Sequence, residues 1–274
     1  MTHSAITLGE TRGAAATRRR LRTRTVAVAS LDASTRGTAL ALFHRAYDGA
    51  DRARFERDLA EKRWIILLRD GDSGQLKGFS TVHLRPPDAR CDGTVVFSGD
   101  TVIDPEYWGQ KELQRAFAAL LLREKLRAPG RPLYWFLISK GWRTYLLLAH
   151  AFPRAVPRHD RPDDGPLRRM LHALAAERFG AQFDAETGVI RYDEPHERVR
   201  AGLAPVTDAL LADPHVRFFV EHNPGHAAGD ELACLAEVRL VDVVRVVGRL
   251  AAAAARRARG ARTARAAPGT RGSA

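Results

Sequence analysis

A carboxylate stands inside an apolar, β-branched run at Asp100, within residues 94–103 (TVVFSGDTVI). Two-residue alternation puts Val96, Ser98, Asp100 and Val102 on one face of such a strand and Phe97, Gly99 and Thr101 on the other. Unpaired charge is uncommon in that setting, so Asp100 reads either as a general base or amine anchor, or as the structural partner of an arginine. His83, on the preceding apolar segment, could pass a proton through a water or be a satisfied core or surface histidine. Just downstream, Asp104, Pro105, Glu106, Tyr107, Trp108 and Gly109 make a turn that runs into a long amphipathic helix. The backbone amides of roughly residues 109–113 then lie at the positive end of that helix, where they can hold an anion such as a pyrophosphate. Lys111 would add positive charge there. Lys140, directly after another apolar run, can touch an anionic substrate or phosphate.

Other chemistries have less support. His222 and His226 frame the loop HNPGH, and with His215 and Cys234 they raise a metal site. That spacing falls in a Pro/Gly loop, without a second recognisable ligand pair, so no metal is expected. There is no Gly-x-Ser-x-Gly elbow, Walker loop or dinucleotide fingerprint, which removes the usual hydrolase, NTPase and Rossmann oxidoreductase readings.

The 274 residues, 45% hydrophobic, suffice for one large domain or two small ones. A net charge of +12 would ordinarily raise nucleic acid or an anionic membrane as partner. Lysine occurs only at 62, 77, 111, 125 and 140, however, and much of the arginine lies in Ala/Arg-rich ends, 11–24 and 256–271. These ends read as solvated tails, with contact to an anionic membrane surface as the alternative; nucleic acid is disfavoured because no aromatic residues interleave with the arginines. Cys91 and Cys234 are too few for a disulfide framework, and no stretch has the apolar length of a transmembrane helix, so a cytoplasmic protein is expected, with peripheral membrane attachment open.

Around the central run the pattern predicts a short strand at 26–30 and two helices over 34–58 broken near Gly49. A hairpin of residues 64–68 and 76–84 follows, then the strand 94–103, a helix over 112–127, a strand at 133–139 and a helix over 142–151. A Pro/Asp/Arg-rich linker, 153–166, precedes a helix at 167–179, a hairpin (AQFD, GVIRYD), a strand at 216–221 and a last helix beginning near Asp230. In that helix Arg239, Asp242, Arg245 and Arg249 form one polar stripe, and the wide apolar remainder is expected to pack on the sheet, with a basic amphipathic membrane contact as the alternative.

This order, with its strand, turn and helix at the centre, resembles the GNAT superfamily of acyl-CoA-dependent N-acyltransferases over roughly residues 28–152. In that family the central strand ends in V-x-P-x-Y-[R]-G-[QK]-G-x-[GA], matched here by Val102, Ile103, Asp104, Pro105, Glu106, Tyr107, Trp108, Gly109 and Gln110. The match departs further on: two family glycines fall on Lys111 and Leu113, and the usual Arg or Gln on Trp108. A second signature, a helix ending in Gly-Phe, is echoed by SKGWRTYLLLAHAF. The resemblance implies a mixed α/β fold with a mostly antiparallel central sheet flanked by helices, here with an α+β C-terminal extension. It implies transfer of an acyl group from a thioester, on coenzyme A or a carrier protein, to an amine, with acyl-CoA as donor and no tightly bound cofactor. The donor would be held by Val102, Ile103, Trp108, Gly109, Gln110, Lys111 and Lys140, the amide near Val102 and Ile103 meeting its carbonyl. Tyr145 is the nearest candidate for the thiolate-protonating tyrosine, though Leu147 holds the expected place and two residues on a helix are about 200° apart. The alternative is a catalytically silent module that binds an acyl ligand or a protein. The expected organisation is a disordered basic arm over 1–25, the acyltransferase domain over 26–222 (core 26–152, extension 153–222), a loop and helix over 223–255, and a tail over 256–274.

Overall fold

The computed structural model describes residues 20–89, 91–161, 165–192, 196–203 and 205–266, with side chains as far as residue 256. The chain runs β1 (Leu21–Ala27), α1 (Ala33–Ala46), β2 (Tyr47–Asp48), α2 (Arg52–Ala60), β3 (Trp64–Asp70), β4 (Leu76–Arg85) and β5 (Thr94–Ile103). It continues through α3 (Glu112–Arg127), β6 (Leu133–Ser139), α4 (Trp142–Ala151), β7 (Ala155–Val156), α5 (Gly165–Phe179), β8 (Phe183–Asp184) and β9 (Val189–Ile190). Last come β10 (Arg198–Val199), α6 (Asp208–Leu211), α7 (Pro214–His222), β11 (Glu231–Glu237) and α8 (Leu240–Ala266).

The main sheet has the order β1-β3-β4-β5-β6-β11-β9-β8, with β7 also on β11. Its pairings are antiparallel except β5 with β6, which run parallel. The fold is therefore the expected mixed, mostly antiparallel sheet between helices. One face carries Ile65, Leu67, Phe79 and Val102 under α1 and α2, and Val95, Phe97, Phe136 and Leu235 under α5. The other carries Ile66, Val82, Val96, Trp135 and Leu137 under α3, α4 and α7. Continuous apolar runs such as WIILL are what burial on both faces requires.

Several expectations are corrected. Of the arm predicted over 1–25, residues 1–19 lie outside the described residues, but Leu21–Ala27 forms β1, seven residues paired antiparallel with β3, and Leu21 is buried. Its exposed Arg and Thr residues suit an edge strand, and that alternation of charge read as a tail. The strand expected at 26–30 is the end of β1 followed by a 3₁₀ turn, Val28–Ser30. Residues 216–221, expected as a strand, belong to α7: Asp213 caps its N-terminus by accepting from the His215 amide at 2.8 Å, Pro214 sits in the first turn, and Val216 and Phe219 bury one face. Residues 231–237 are not the start of the last helix but β11, buried at six of seven positions between β6 and the β7 and β9 pieces. Two-sided burial outweighs the helix propensity of ELACLAE.

The last helix starts at Leu240 and extends through Ala266, into the stretch expected as tail. It rests on α3 rather than on the sheet, burying Asp242 and Val243 and leaving Leu240, Val241, Val244 and Val247 exposed. Asp242 is buried as an ion pair with Arg239 at 2.8 Å and Arg245 at 3.1 Å, so part of the predicted polar stripe points inward. Among the described residues no helix is long and apolar enough to cross a membrane.

Candidate active site

The site begins with two irregularities in β5. Its register with β4 pairs Thr101 with Ser80 but Ser98 with Val82, so Gly99 and Asp100 together face the single residue Thr81, a β-bulge. The bulge resets the alternation. Val96 packs against the α3/α4 side, whereas Val102 packs under α1 and α2, so the face expected to join Val96, Ser98, Asp100 and Val102 is broken in the middle. A Cβ on Gly99 would fall 2.8 Å from Lys62 Cε and 2.6 Å from Thr81 Oγ1, so glycine is what admits the lysine stem.

The second irregularity is a splay. Parallel pairing of β5 with β6 runs from Thr94–Leu133 to Ser98–Leu137 and stops there, although β5 continues to Ile103. Beyond Ser98 no strand among the described residues pairs with the edge of β5 away from β4. The Asp104 amide bonds Lys77 O at 2.8 Å, and Val102 O stands 2.6 Å from where a Gly78 Cβ would lie, so the peptide groups of 102 and 104 point to β4. By alternation those of Thr101 and Ile103 point into the gap. Two side chains already reach their carbonyls there: Trp108 Nε1 donates to Ile103 O at 2.8 Å, and the Tyr47 hydroxyl to Thr101 O at 3.5 Å. The amide that can meet a donor carbonyl is thus that of Ile103 or Thr101, not of Val102.

A cleft of about 1880 Å³ opens at the splay and is lined by Asp100, His83, Val102, Ile103, Trp108, Gly109, Gln110, Lys111 and Lys140. Asp100 is half-buried and has no hydrogen bond or ion pair within 4 Å among the described residues. Burial raises its carboxyl to about 6, with Lys140 and then Lys62 opposing and Asp58 and Glu231 adding to the rise. The arginine partner that the structural alternative requires is not at hand. Lys62 is buried, donates to Asp58 O at 2.9 Å and lies over the Phe97 ring; burial and then Arg178 lower its ammonium. Lys140 bridges from β6 to the C-terminal extension, pairing with Glu231 at 3.3 Å and donating to Glu197 O at 2.9 Å. The Tyr192 hydroxyl donates to the same Glu231 at 2.6 Å. Burial alone would raise Glu197, but the hydrogen bond and charge of His196 bring it down to about 2. The inner end of the cleft is therefore a polar chamber of Asp58, Lys62, Asp100, Lys140, Glu197 and Glu231. Of these, sequence reasoning found Asp100 and Lys140. The others come from α2 and the turn after it, from the residue before β10 and from β11, segments whose sequence signals say nothing of where they converge.

At the other end, Asp104 accepts from the Glu106 amide at 3.2 Å, Gly109 adopts φ +79°, and Lys111 is the first residue before α3, its side chain making no cap bond to the helix. The amides of the first turn of α3 are not consumed by that cap. Trp108 stacks under the Arg143 guanidinium at 4.6 Å, and Gln110 accepts from the Leu21 amide at 3.0 Å, tying the turn to β1. Tyr107 is buried, and its hydroxyl donates to Asp70 at 2.8 Å.

His83 reaches the cleft half-buried. Burial first, then Arg178, lowers its imidazole, and its Nδ1 is buried without a partner among the described residues. Tyr145 is not brought to the cleft, a correction. It is fully buried on the α7 side of α4, stacked on Phe218, with its hydroxyl donating to Pro157 O at 3.2 Å. Burial pushes it far above the ordinary tyrosine range, and Leu147 takes its place in the wall. The helical phase of two residues decides this. Cys91 and Cys234 are free and buried, and Cys234 is raised by burial, so neither offers a ready thiolate.

No family profile matches the sequence, and no curated protein is detectably similar to it. In fold the chain is similar to GNAT N-acetyltransferases. A glucosamine-6-phosphate N-acetyltransferase from Arabidopsis thaliana is 16% identical with a TM-score of 0.34, over 48% of this chain and 89% of that one. An acetyltransferase from Trypanosoma brucei is 18% identical with a TM-score of 0.34, over 54% of this chain and all of the other, 100%. A GNAT-family N-acetyltransferase from Escherichia coli in complex with CoA is 20% identical with a TM-score of 0.31, over 51% of this chain and 69% of that one. Likenesses so partial leave the chemistry to be argued from the cleft itself.

Proposed function

We propose that the protein is a GNAT-type acyltransferase that moves an acyl group from a thioester donor, on coenzyme A or a carrier protein, to an amine. The observation that carries this reading is a single cleft that joins the strand edge freed by the splay, a carboxylate raised to about 6 beside it, and the N-terminus of α3 at its far end. The donor's phosphates would lie at the α3 amides near Lys111, and its thioester would run along the gap. Asp100 takes a proton from the acceptor ammonium; the freed nitrogen lone pair attacks the thioester carbon, and the oxyanion is met by the amide at Ile103. Collapse breaks the carbon–sulfur bond while the attacking nitrogen gives up its second proton to water, releasing the neutral amide product and a thiolate. The leaving thiolate would take its proton from water or from the Tyr47 hydroxyl, which stands at the same strand edge.

Calorimetry with coenzyme A and a panel of acyl-CoAs tests the donor. Saturable binding with a raised melting temperature is expected, and no binding at millimolar ligand would remove the proposal. One observation favours the second reading, a silent acyl-binding module: Leu147 lies in the cleft wall and Tyr145 does not. Donor binding without turnover on any amine would select that module.

A further inference from the structure

Away from the β5/β6 gap, the loop after β7 brings His159 and Asp160 against His215 at the start of α7. One ligand atom from each lies within 4.8 Å of the others. The His159 and His215 rings meet edge to face, 4.3 Å between centroids, and the His150 ring stands 5.2 Å from His215 on α4. His215 is 8% exposed, and its Nδ1 is buried with no hydrogen-bond partner among the described residues. A buried imidazole nitrogen without a partner is costly, and an ion would relieve that cost. We propose that His159, Asp160 and His215 form a binding site for one divalent transition-metal ion of the zinc class.

The surroundings suit this assignment. The Arg158 guanidinium holds both oxygens of Asp160, each at 2.7 Å, and also reaches the Phe152 and Ala149 carbonyls at the end of α4. It fixes the carboxylate as an outer-shell partner does in known metal sites, while each oxygen keeps a lone pair. Because Arg158 already shares the carboxylate's charge, the two imidazoles must supply most of the binding. Imidazole donors favour zinc, cobalt, nickel and copper; magnesium and calcium need several oxygens that this set does not have. A fourth position falls to water or to His150, whose Nε2 is 3.9 Å from Asp213. Such an ion would staple the loop after β7 to the N-terminus of α7, behind Tyr145. The histidines singled out in the sequence beside His215 lie elsewhere: His226 Nδ1 bonds Asn223 O at 2.9 Å, and His222 Nδ1 bonds Phe218 O at 3.0 Å.

The test uses the full chain without a histidine tag, stripped with a chelator and titrated with zinc chloride by calorimetry. One ion per chain, with a higher melting temperature, is expected, whereas magnesium chloride should give no heat. His159→Ala and His215→Ala should each weaken zinc binding by at least about 100-fold, the upper cost of losing an outer-shell partner. His222→Ala and His226→Ala should bind like the parent. His159 is exposed, so that variant decides the matter if His215→Ala fails to fold. Absence of saturable binding, equal binding of magnesium, or zinc affinity unchanged in His159→Ala would overturn the site.

Discussion

Lys62 occupies the space that Gly99 leaves by having no side chain: a Cβ at 99 would stand 2.8 Å from Lys62 Cε. The bulge in β5, the buried lysine and the chamber around Asp100 are therefore one construction. Alanine at 99 must also displace Thr81 Oγ1, 2.6 Å from the same Cβ. Gly99→Ala should cost about 1–3 kcal/mol of stability, the usual penalty for overpacking, and lower turnover together with it. Denaturant unfolding checks the first, and an unchanged midpoint would mean that Lys62 simply swings away.

Asp100→Asn keeps the shape of the side chain and removes its basicity. With the best acyl donor and amine acceptor in hand, turnover should fall by about 10²–10⁴ while donor affinity stays near that of the parent. Loss of donor binding or of folding, with turnover per bound donor intact, would make Asp100 structural.

The same carboxylate sets a pH dependence. Burial raises Asp100 above its ordinary 3.8 to about 6, and a base works only when ionised. The rate should therefore climb as pH rises through about 6, flatten above it, and lose that limb in Asp100→Asn. In stability the sign is reversed. A carboxyl raised by folding favours the folded state below 3.8, and that contribution is lost as pH rises towards 6. A flat rate profile between pH 5 and 8 (roughly the range histidines and raised carboxyls titrate in) would sink the assignment.

At the donor end, Lys111→Glu places a negative charge beside the α3 amides and should weaken coenzyme A binding by about tenfold or more, the effect shrinking as salt is raised. Trp108→Ala removes the indole bond to Ile103 O and the stack with Arg143, and should also weaken the donor complex. Calorimetry at two ionic strengths separates the two, because only the charge reversal is salt-sensitive.

The turn is anchored by Tyr107 to Asp70. Hydrogen bonds from the Ser73 amide and the Tyr107 hydroxyl hold the Asp70 carboxyl well below 3.8. Such a depressed carboxylate contributes stability that is present above pH 3.8 and is lost as pH falls below it. Tyr107→Phe should move acid unfolding to higher pH and lower the melting temperature by several degrees at neutral pH. Equal acid midpoints for parent and variant would remove that role from the pair.

Truncation separates the tail expected from sequence from the strand that follows it. Removing residues 1–19, which end before β1, should leave the melting temperature nearly unchanged, whereas removing 1–27 strips the strand paired with β3 and the amide that holds Gln110. Equal melting temperatures for the two would mean that β1 contributes nothing measurable.

The sequence by itself determined the central elements. Periodicity and turn residues marked β5, α3, β6 and α4 because each is long, amphipathic or continuously apolar and bounded by Gly or Pro. They also singled out Asp100, since a carboxylate in an apolar strand is costly and so conspicuous. What the tertiary structure decided was pairing and phase. ELACLAE reads as helix and is a strand because β6 and β9 supply its hydrogen bonds; VRFFVE reads as strand and is a helix because Asp213 caps it and α4 covers it. The bulge at Gly99–Asp100 is visible only against β4, and it moves Val102 to the other face. Tyr145 faces away from the cleft by two residues of helical phase. The charged neighbours that line the chamber with Asp100 arrive from α2 and the turn after it, from the residue before β10 and from β11, and those of His215 from the loop after β7. Local sequence fixes backbone preference, whereas a site made from distant segments depends on long-range contacts that no local pattern encodes.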